Sequence, residues 1–145
     1  MVVNKDSCKN LNNLFVQLLI KKGKKQKAEK LLLKVSHKLL QQNSQTLPAV
    51  VLEVVKKAEP FVTFKKIRLK GSSYSVPLFL ENQQRLKTAL NWLRLASVGV
   101  KKSFVNKLVK ELVSSSSNSG DLPLQRKQFH QKANQNKVFA HYRWF

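Results

Sequence analysis

The 145-residue sequence is poorest in acid and in cysteine: seven Asp plus Glu stand against 28 Lys plus Arg, and Cys8 is the single cysteine. One cysteine excludes an internal disulfide framework and any cysteine-based zinc site, which fits a reducing compartment. The acids are dispersed, with no paired carboxylates, and no Gly-rich phosphate loop or HExxH spacing occurs. Of the three histidines, His37 lies among lysines, and His130 with His141 supplies two metal ligands at most. No convergent set of reactive groups is visible, so neither an enzyme nor a bound metal or cofactor is expected. Long apolar runs are missing too. The stretch 11–20 is short and broken by Asn12, Asn13 and Gln17, too polar to span a membrane. The first residues lack both the Arg- and Ser-rich character of an import peptide and the apolar core of a secretory signal, so no leader is expected.

What is abundant is positive charge. The formal net charge is +21, more than solubility requires. Self-repulsion on that scale opposes compaction, and the usual reason to carry it is a polyanionic partner, either nucleic acid or an acidic membrane surface. The hydrophobic fraction of 42% argues against disorder. At this length one core can form, and a single domain over 1–145 is expected.

The chain reads as mainly α. Leu11, Leu14, Phe15, Leu18 and Leu19 recur at helical spacing and form one face of a first helix, which Gly23 stops. A second helix over about 26–42 turns Ala28, Leu31, Leu32, Val35 and Leu39 inward and Lys27, Lys30, Lys34 and Lys38 outward. The stretch 21–40 alone carries eight Lys and one Glu. Thr46 is placed to cap a third helix with Pro48 in its first turn, running to about Glu59 and burying Val50, Val51, Val54 and Val55. Two acids balance two lysines there, so this helix is read as core.

Pro60 ends it, and two β-rich runs joined by Lys70-Gly71 predict a hairpin over about 61–80. A lone hairpin is marginal in water, so this one is expected to protrude from the helical body and to be steadied by what it binds. Leu86, Ala89, Leu90, Leu93 and Ala96 mark a fourth helix with Trp92 beside the stripe. Phe104, Val105, Leu108 and Leu112 mark a fifth, capped by Ser103. The serine run 114–117 with Asn118, Ser119 and Gly120 reads as a flexible loop. The last helix, over about 123–140, has in Leu124, Phe129, Ala133 and Ala140 too sparse an apolar set to bury a full face, the pattern of a helix that is either solvated or completed by a partner.

Two basic clusters stand out. Lys21, Lys22, Lys24 and Lys25 flank Gly23, where a tight turn would gather four ammonium groups beside a helix N-terminus, a setting that attracts phosphate. The bland alternative is a solvated loop. Lys65, Lys66, Arg68 and Lys70 make the hairpin a basic finger; the alternative there is an edge ribbon that uses lysine against aggregation. Trp92, Phe15, Phe104 and Phe129 read as core. Tyr142, Trp144 and Phe145, with His141 and Arg143, could stack on unpaired bases or dock the last helix on the body, and periodicity does not choose between the two.

Four stretches, in order, make the chain resemble the small-subunit ribosomal protein seven family of bacteria and organelles. They are Lys21-Lys22-Gly23-Lys24-Lys25 with its helix; Gly71-Ser72-Ser73-Tyr74-Ser75-Val76-Pro77; Ala89-Leu90-Asn91-Trp92-Leu93; and Asn136-Lys137-Val138-Phe139-Ala140-His141-Tyr142-Arg143-Trp144. The resemblance implies a bundle of six helices with a protruding β-ribbon that binds the 3′ major domain of small-subunit rRNA and nucleates assembly of the subunit's head. It further implies a place near the exit-site tRNA and the mRNA path, beside small-subunit protein eleven. Carried onto this sequence, rRNA contact is expected from Lys21, Lys22, Lys24, Lys25 and Lys27 at the turn, from Lys65, Lys66, Arg68 and Lys70 on the ribbon, and from Lys101 and Lys102 before helix five. Arg126, Lys137, His141 and Arg143, with His130 matching the same final helix, complete the set.

The chain also departs from the family. Only Lys5 and Lys9 precede Leu11 where bacterial members carry a basic arm, so contacts made by that arm are not expected. Lys70 stands where the first of two glycines is usual, Ser97 where Arg is usual, and a basic pair is missing near Leu124 and Gln125. The short arm, 23 Lys against 5 Arg, 11 Asn and the ending Trp144-Phe145 look most like a mitochondrion-encoded member, with a plastid or the bacterial cytoplasm as second choice. The expectation is therefore a non-enzymatic structural constituent of the small ribosomal subunit. The alternatives are an architectural DNA-binding protein with a basic β-arm and, further off, a membrane-surface protein.

Overall fold

The computed structural model describes residues 5–43, 45–98 and 103–144, with side chains from residue 11 onward except at 43. Six α-helices, two strands and a terminal 3₁₀ helix follow in the order α1 (Lys5–Leu19), α2 (Lys25–Asn43), α3 (Leu47–Ala58), β1 (Val62–Leu69), β2 (Ser72–Phe79), α4 (Asn82–Ser97), α5 (Phe104–Ser116), α6 (Asp121–Gln135) and Lys137–Trp144. This is the mainly helical body with a two-stranded antiparallel hairpin that the apolar spacing predicts.

α3 is the axis of the fold. It packs against α1, α2, α4, α5 and α6, and Leu47, Val50, Val51, Val54, Val55 and Ala58 are all buried. Valine is a mediocre helix former because its branched Cβ loses rotamer freedom. Here burial outweighs propensity, since each fully buried aliphatic side chain contributes about 1.5–3 kcal/mol. Phe15 from α1, Val35 and Leu39 from α2, Leu90 and Leu93 from α4, Leu108 and Leu112 from α5 and Leu122 from α6 close the same core.

Lysine and arginine also tie this core together. Lys57 pairs with Glu53 one turn back at 2.7 Å and donates to the Ser116 carbonyl at the end of α5. Arg126 donates to the Lys57 carbonyl at 3.1 Å. Each thus satisfies a carbonyl at a helix C-terminus, where the backbone lacks an intrahelical partner and the dipole favours a cation.

Several local expectations need correction. Thr46 and Ser103 occupy N-cap positions, but neither side chain makes a capping hydrogen bond. The serine run is an ordered stop rather than a flexible loop. Asn118 takes a positive φ of 60°, its N–H donates to the Ser115 carbonyl, and the Ser119 N–H donates to the Ser114 carbonyl. That pattern is a Schellman closure with Asn in the left-handed position. Glu111 Oε1 accepts from the buried Ser115 hydroxyl at 2.7 Å and from the Asp121 N–H at 3.1 Å, joining α5 to α6. α6 starts at Asp121 and stops at Gln135; it anchors through buried Leu122 and Pro123, while Leu124 is exposed.

The hairpin, expected to be steadied by what it binds, is steadied from within the chain by the terminal 3₁₀ helix and α6. Lys65 pairs with Val76 and Ile67 with Tyr74, and this face, with Val76 and Ile67 buried, backs onto the terminal 3₁₀ helix. Tyr74 contacts Phe139 and Tyr142 at ring-centroid distances of 5.1 and 5.5 Å. On the other face Phe64 meets Phe129 edge-on at 4.9 Å, and Phe129 meets the buried Trp92 at 5.2 Å. An aromatic chain therefore runs from the core into the ribbon's base, where edge-to-face pairs fix orientation as well as burying area.

Candidate nucleic-acid interface

The lysine turn is built by backbone geometry. α1 ends at Leu19, Lys22 and Gly23 take positive φ of 52° and 71°, and the Lys24 N–H donates to the Lys21 carbonyl at 3.2 Å. Two consecutive left-handed residues are the mark of a type I′ turn. α2 begins at once with Lys25. Lys21, Lys22, Lys24, Lys25 and Lys27 are all exposed. Lys25 lies 3.8 Å from Glu29 on open surface, a pair worth little in water. The cluster therefore keeps its positive potential.

The ribbon tip repeats this construction. Lys70 and Gly71 have φ of 47° and 85° and connect Leu69 to Ser72. A lysine in the left-handed region is strained because its Cβ crowds the following carbonyl. Lys70 sits in the turn, and register divides the other three cations between faces. Lys66 pairs with Ser75 and Arg68 with Ser73, so both stand on one face, while Lys65 shares the other with Ile67, Tyr74 and Val76.

The terminal cluster both docks and projects. Phe139 and Tyr142 lie against Tyr74, whereas Trp144 is 79% exposed with the Arg143 guanidinium 4.5 Å from its ring centre. The His141 ring lies 4.0 Å from that of Tyr142, the two planes tilted by 49°, and His141 is exposed, as is Lys137.

Arg126 is drawn inward instead. Besides its bond to Lys57 it lies 5.3 Å from the Phe61 ring centre, and Arg85 lies 4.7 Å from the same ring. Arg85 Nε also donates to the Leu80 carbonyl at 2.9 Å. His130 Nε2 accepts from the Phe61 N–H at 3.2 Å, and burial first, then the Arg126 guanidinium, lowers its pKa below the ordinary 6.5. Sequence reasoning missed this knot around Phe61. The one sequence signal was the i, i+4 spacing of Arg126 and His130, which sets both on one helix face. Lys101 and Lys102 lie outside the described residues.

Acids do little to neutralise these surfaces, since Glu53 and Glu111 are already engaged with α3 and α5. Among the described residues no group of three His, Cys, Asp or Glu could hold a metal ion, and no helix is long and apolar enough to cross a membrane. Two Lys-Gly turns, a two-faced basic ribbon and an exposed Arg-Trp end together suit phosphate contact with some base stacking.

The family model for ribosomal protein S7p/S5e matches residues 2–137. Similar chains include the small ribosomal subunit protein uS7 of Vibrio campbellii, 33% identical over 131 residues that make up 90% of this chain and 84% of the relative. The small ribosomal subunit protein uS7m of Reclinomonas americana is 31% identical over 131 residues, 90% and 82% of the two chains. The uS7 protein of Thermomicrobium roseum is 32% identical over 133 residues, 90% and 84% of the two chains.

Proposed function

The chain belongs to the ribosomal protein S7p/S5e family, and on that premise we propose that it is a structural constituent of the small ribosomal subunit that binds the 3′ major domain of small-subunit rRNA and nucleates assembly of the head. It carries out no catalysis. All 145 residues act as one domain, set beside small-subunit protein eleven and near the exit-site tRNA and the mRNA path. The 23 Lys, 5 Arg and 11 Asn, with a uS7m chain among its relatives, support a mitochondrial ribosome as its site.

The observation that carries this reading is the lysine turn. Lys21, Lys22, Lys24, Lys25 and Lys27 are exposed, and the turn that gathers them is closed by the Lys24 N–H to Lys21 carbonyl hydrogen bond. Cations there and on Lys65, Lys66, Arg68 and Lys70 bridge phosphates of separate rRNA helices and reduce the repulsion between them. Lys101, Lys102, Lys137, His141 and Arg143 extend the contact. Arg126 contributes by holding α6 against α3. The DNA-bending alternative loses its basis: the family is ribosomal, and the ribbon tip Lys70-Gly71 offers no apolar wedge to open a base step.

Phosphate contact on this scale releases counterions. With roughly ten phosphates neutralised, affinity for the rRNA domain falls by about 10³ to 10⁵ between 50 and 200 mM salt. A flat salt response contradicts the reading.

A further inference from the structure

Where the last turns of α2 meet α5 lies a groove of about 670 Å³, about 24 Å along the α2 axis from the lysine turn. Buried Val109 and half-buried Val113 make its floor. α2 forms one wall and presents Lys38, Gln41 and Gln42, all exposed. α5 and its serine stop form the other, with Asn106 and Lys110 along it and Ser114, Ser117 and Ser119 at its end. No acidic side chain and no aromatic ring is among the lining residues.

Hydrogen bonding within the chain decides what the groove has left to offer. Ser114 Oγ donates to the Glu111 carbonyl at 3.2 Å, and Ser117 Oγ and Ser119 Oγ donate to the Ser114 carbonyl at 2.9 and 3.1 Å. Their protons are committed, so the serine end offers acceptor lone pairs. The Lys38 ammonium donates to Asn106 Oδ1 across the groove, which fixes the lysine in place and leaves the Asn106 amide its N–H donors. Lys110 is exposed and is a donor only.

We propose that this groove receives an extended acidic segment of a neighbouring protein, its carboxylates on Lys38 and Lys110 and its main chain between the α2 amides and the serine hydroxyls. Charge sets the sign of the occupant, and the balance of donors and acceptors sets its class. A peptide main chain presents an N–H and a C=O at each residue, so it serves both walls at once. Phosphates offer acceptors alone and leave the serine lone pairs without a donor, and the groove has no ring on which an unpaired base stacks. The serine run, which neither the core nor the cation clusters use, thereby acquires a role.

The test is fluorescence anisotropy of a labelled ten-residue peptide of alternating Glu and Gly, titrated with the full chain at about 150 mM salt, where exposed charges are screened beyond about 8 Å. The same peptide N-methylated at every glycine keeps its charge and loses half of its backbone donors, and it should bind several-fold more weakly. Lys38→Gln with Lys110→Gln should lower affinity for the unmethylated peptide by about three- to ten-fold, as expected of two partly exposed ion pairs. Lys110→Gln alone, at an exposed position, should give part of that loss. Lys24→Gln with Lys25→Gln should leave peptide affinity in place.

Absence of peptide binding overturns the proposal, as does equal binding of the methylated and unmethylated peptides, which would mean attraction by charge alone. A loss caused by the Lys24, Lys25 variant and not by the Lys38, Lys110 variant places the peptide on the turn and also overturns it. If the Lys38, Lys110 variant lowers affinity for the rRNA domain and not for the peptide, the groove is an RNA surface and the proposal falls. None of these outcomes touches the salt-dependent rRNA contact, which is measured separately.

Discussion

The Phe61 N–H donates a hydrogen bond to His130 Nε2 at 3.2 Å, joining the first residue after the α3 stop to the middle of α6. Only the neutral imidazole can accept it. Because burial and Arg126 lower the folded-state pKa below 6.5, the unfolded chain takes up a proton first as pH falls. The contribution is therefore full above about pH 6.5 and declines as the pH drops from there toward the depressed value.

Replacing His130 with Phe keeps a ring beside Phe61 and removes the acceptor. At about pH 7.5 the variant should be less stable by about 0.5–1 kcal/mol, and the gap to wild type should narrow at about pH 5.5. Urea midpoints at the two pH values decide it; a gap that ignores pH removes His130 from the account.

Tyr74→Ala should detach the terminal 3₁₀ helix from β2, since two ring contacts worth about 0.5–1.5 kcal/mol each are lost. Hydrogen exchange should rise in 72–79 and 137–144 and stay slow in α3. Unchanged exchange in the ribbon would show that the terminal helix does not steady it.

Lys70→Gly should act in opposite directions on folding and on binding. Relief of the positive φ outweighs the added chain entropy by a few tenths to about 1 kcal/mol. Loss of one cation should lower the slope of log affinity against log salt by about 1. Thermal melts and a salt titration of rRNA binding measure both.

Gly120→Ala should destabilise the α5–α6 junction, because a Cβ there would meet Ser115 Oγ at 2.2 Å and the Ser115 backbone N at 2.8 Å. The expected cost is about 1–3 kcal/mol, read from the urea midpoint. A neutral substitution would mean that the Glu111–Ser115–Asp121 bonding is not what holds the junction.

Much of the fold was legible because its helices bury continuous stripes. The Leu11, Leu14, Phe15 and Leu18 spacing and the valines of α3 leave one way to turn the apolar face, and Lys70-Gly71 between β-rich runs leaves one place for the hairpin turn. The serine run misled because composition cannot show that Glu111 reaches forward to Ser115 and Asp121. The terminal helix was ambiguous because its docking depends on ring pairs with Tyr74, more than sixty residues earlier. At the interface the cations themselves were readable. The division of the ribbon's cations between two faces required the register, and the inward turn of Arg126 required Phe61.

The central claim is that the lysine turn carries this chain into the small subunit, and gradient sedimentation of native extract tests it most directly by comparing wild type with the Lys24→Glu, Lys25→Glu double variant. Both positions are exposed, so helical content should be nearly unchanged. Wild type should travel with the small subunit and the variant should remain at the top of the gradient; a variant that sediments with the subunit as fully as wild type would contradict the account.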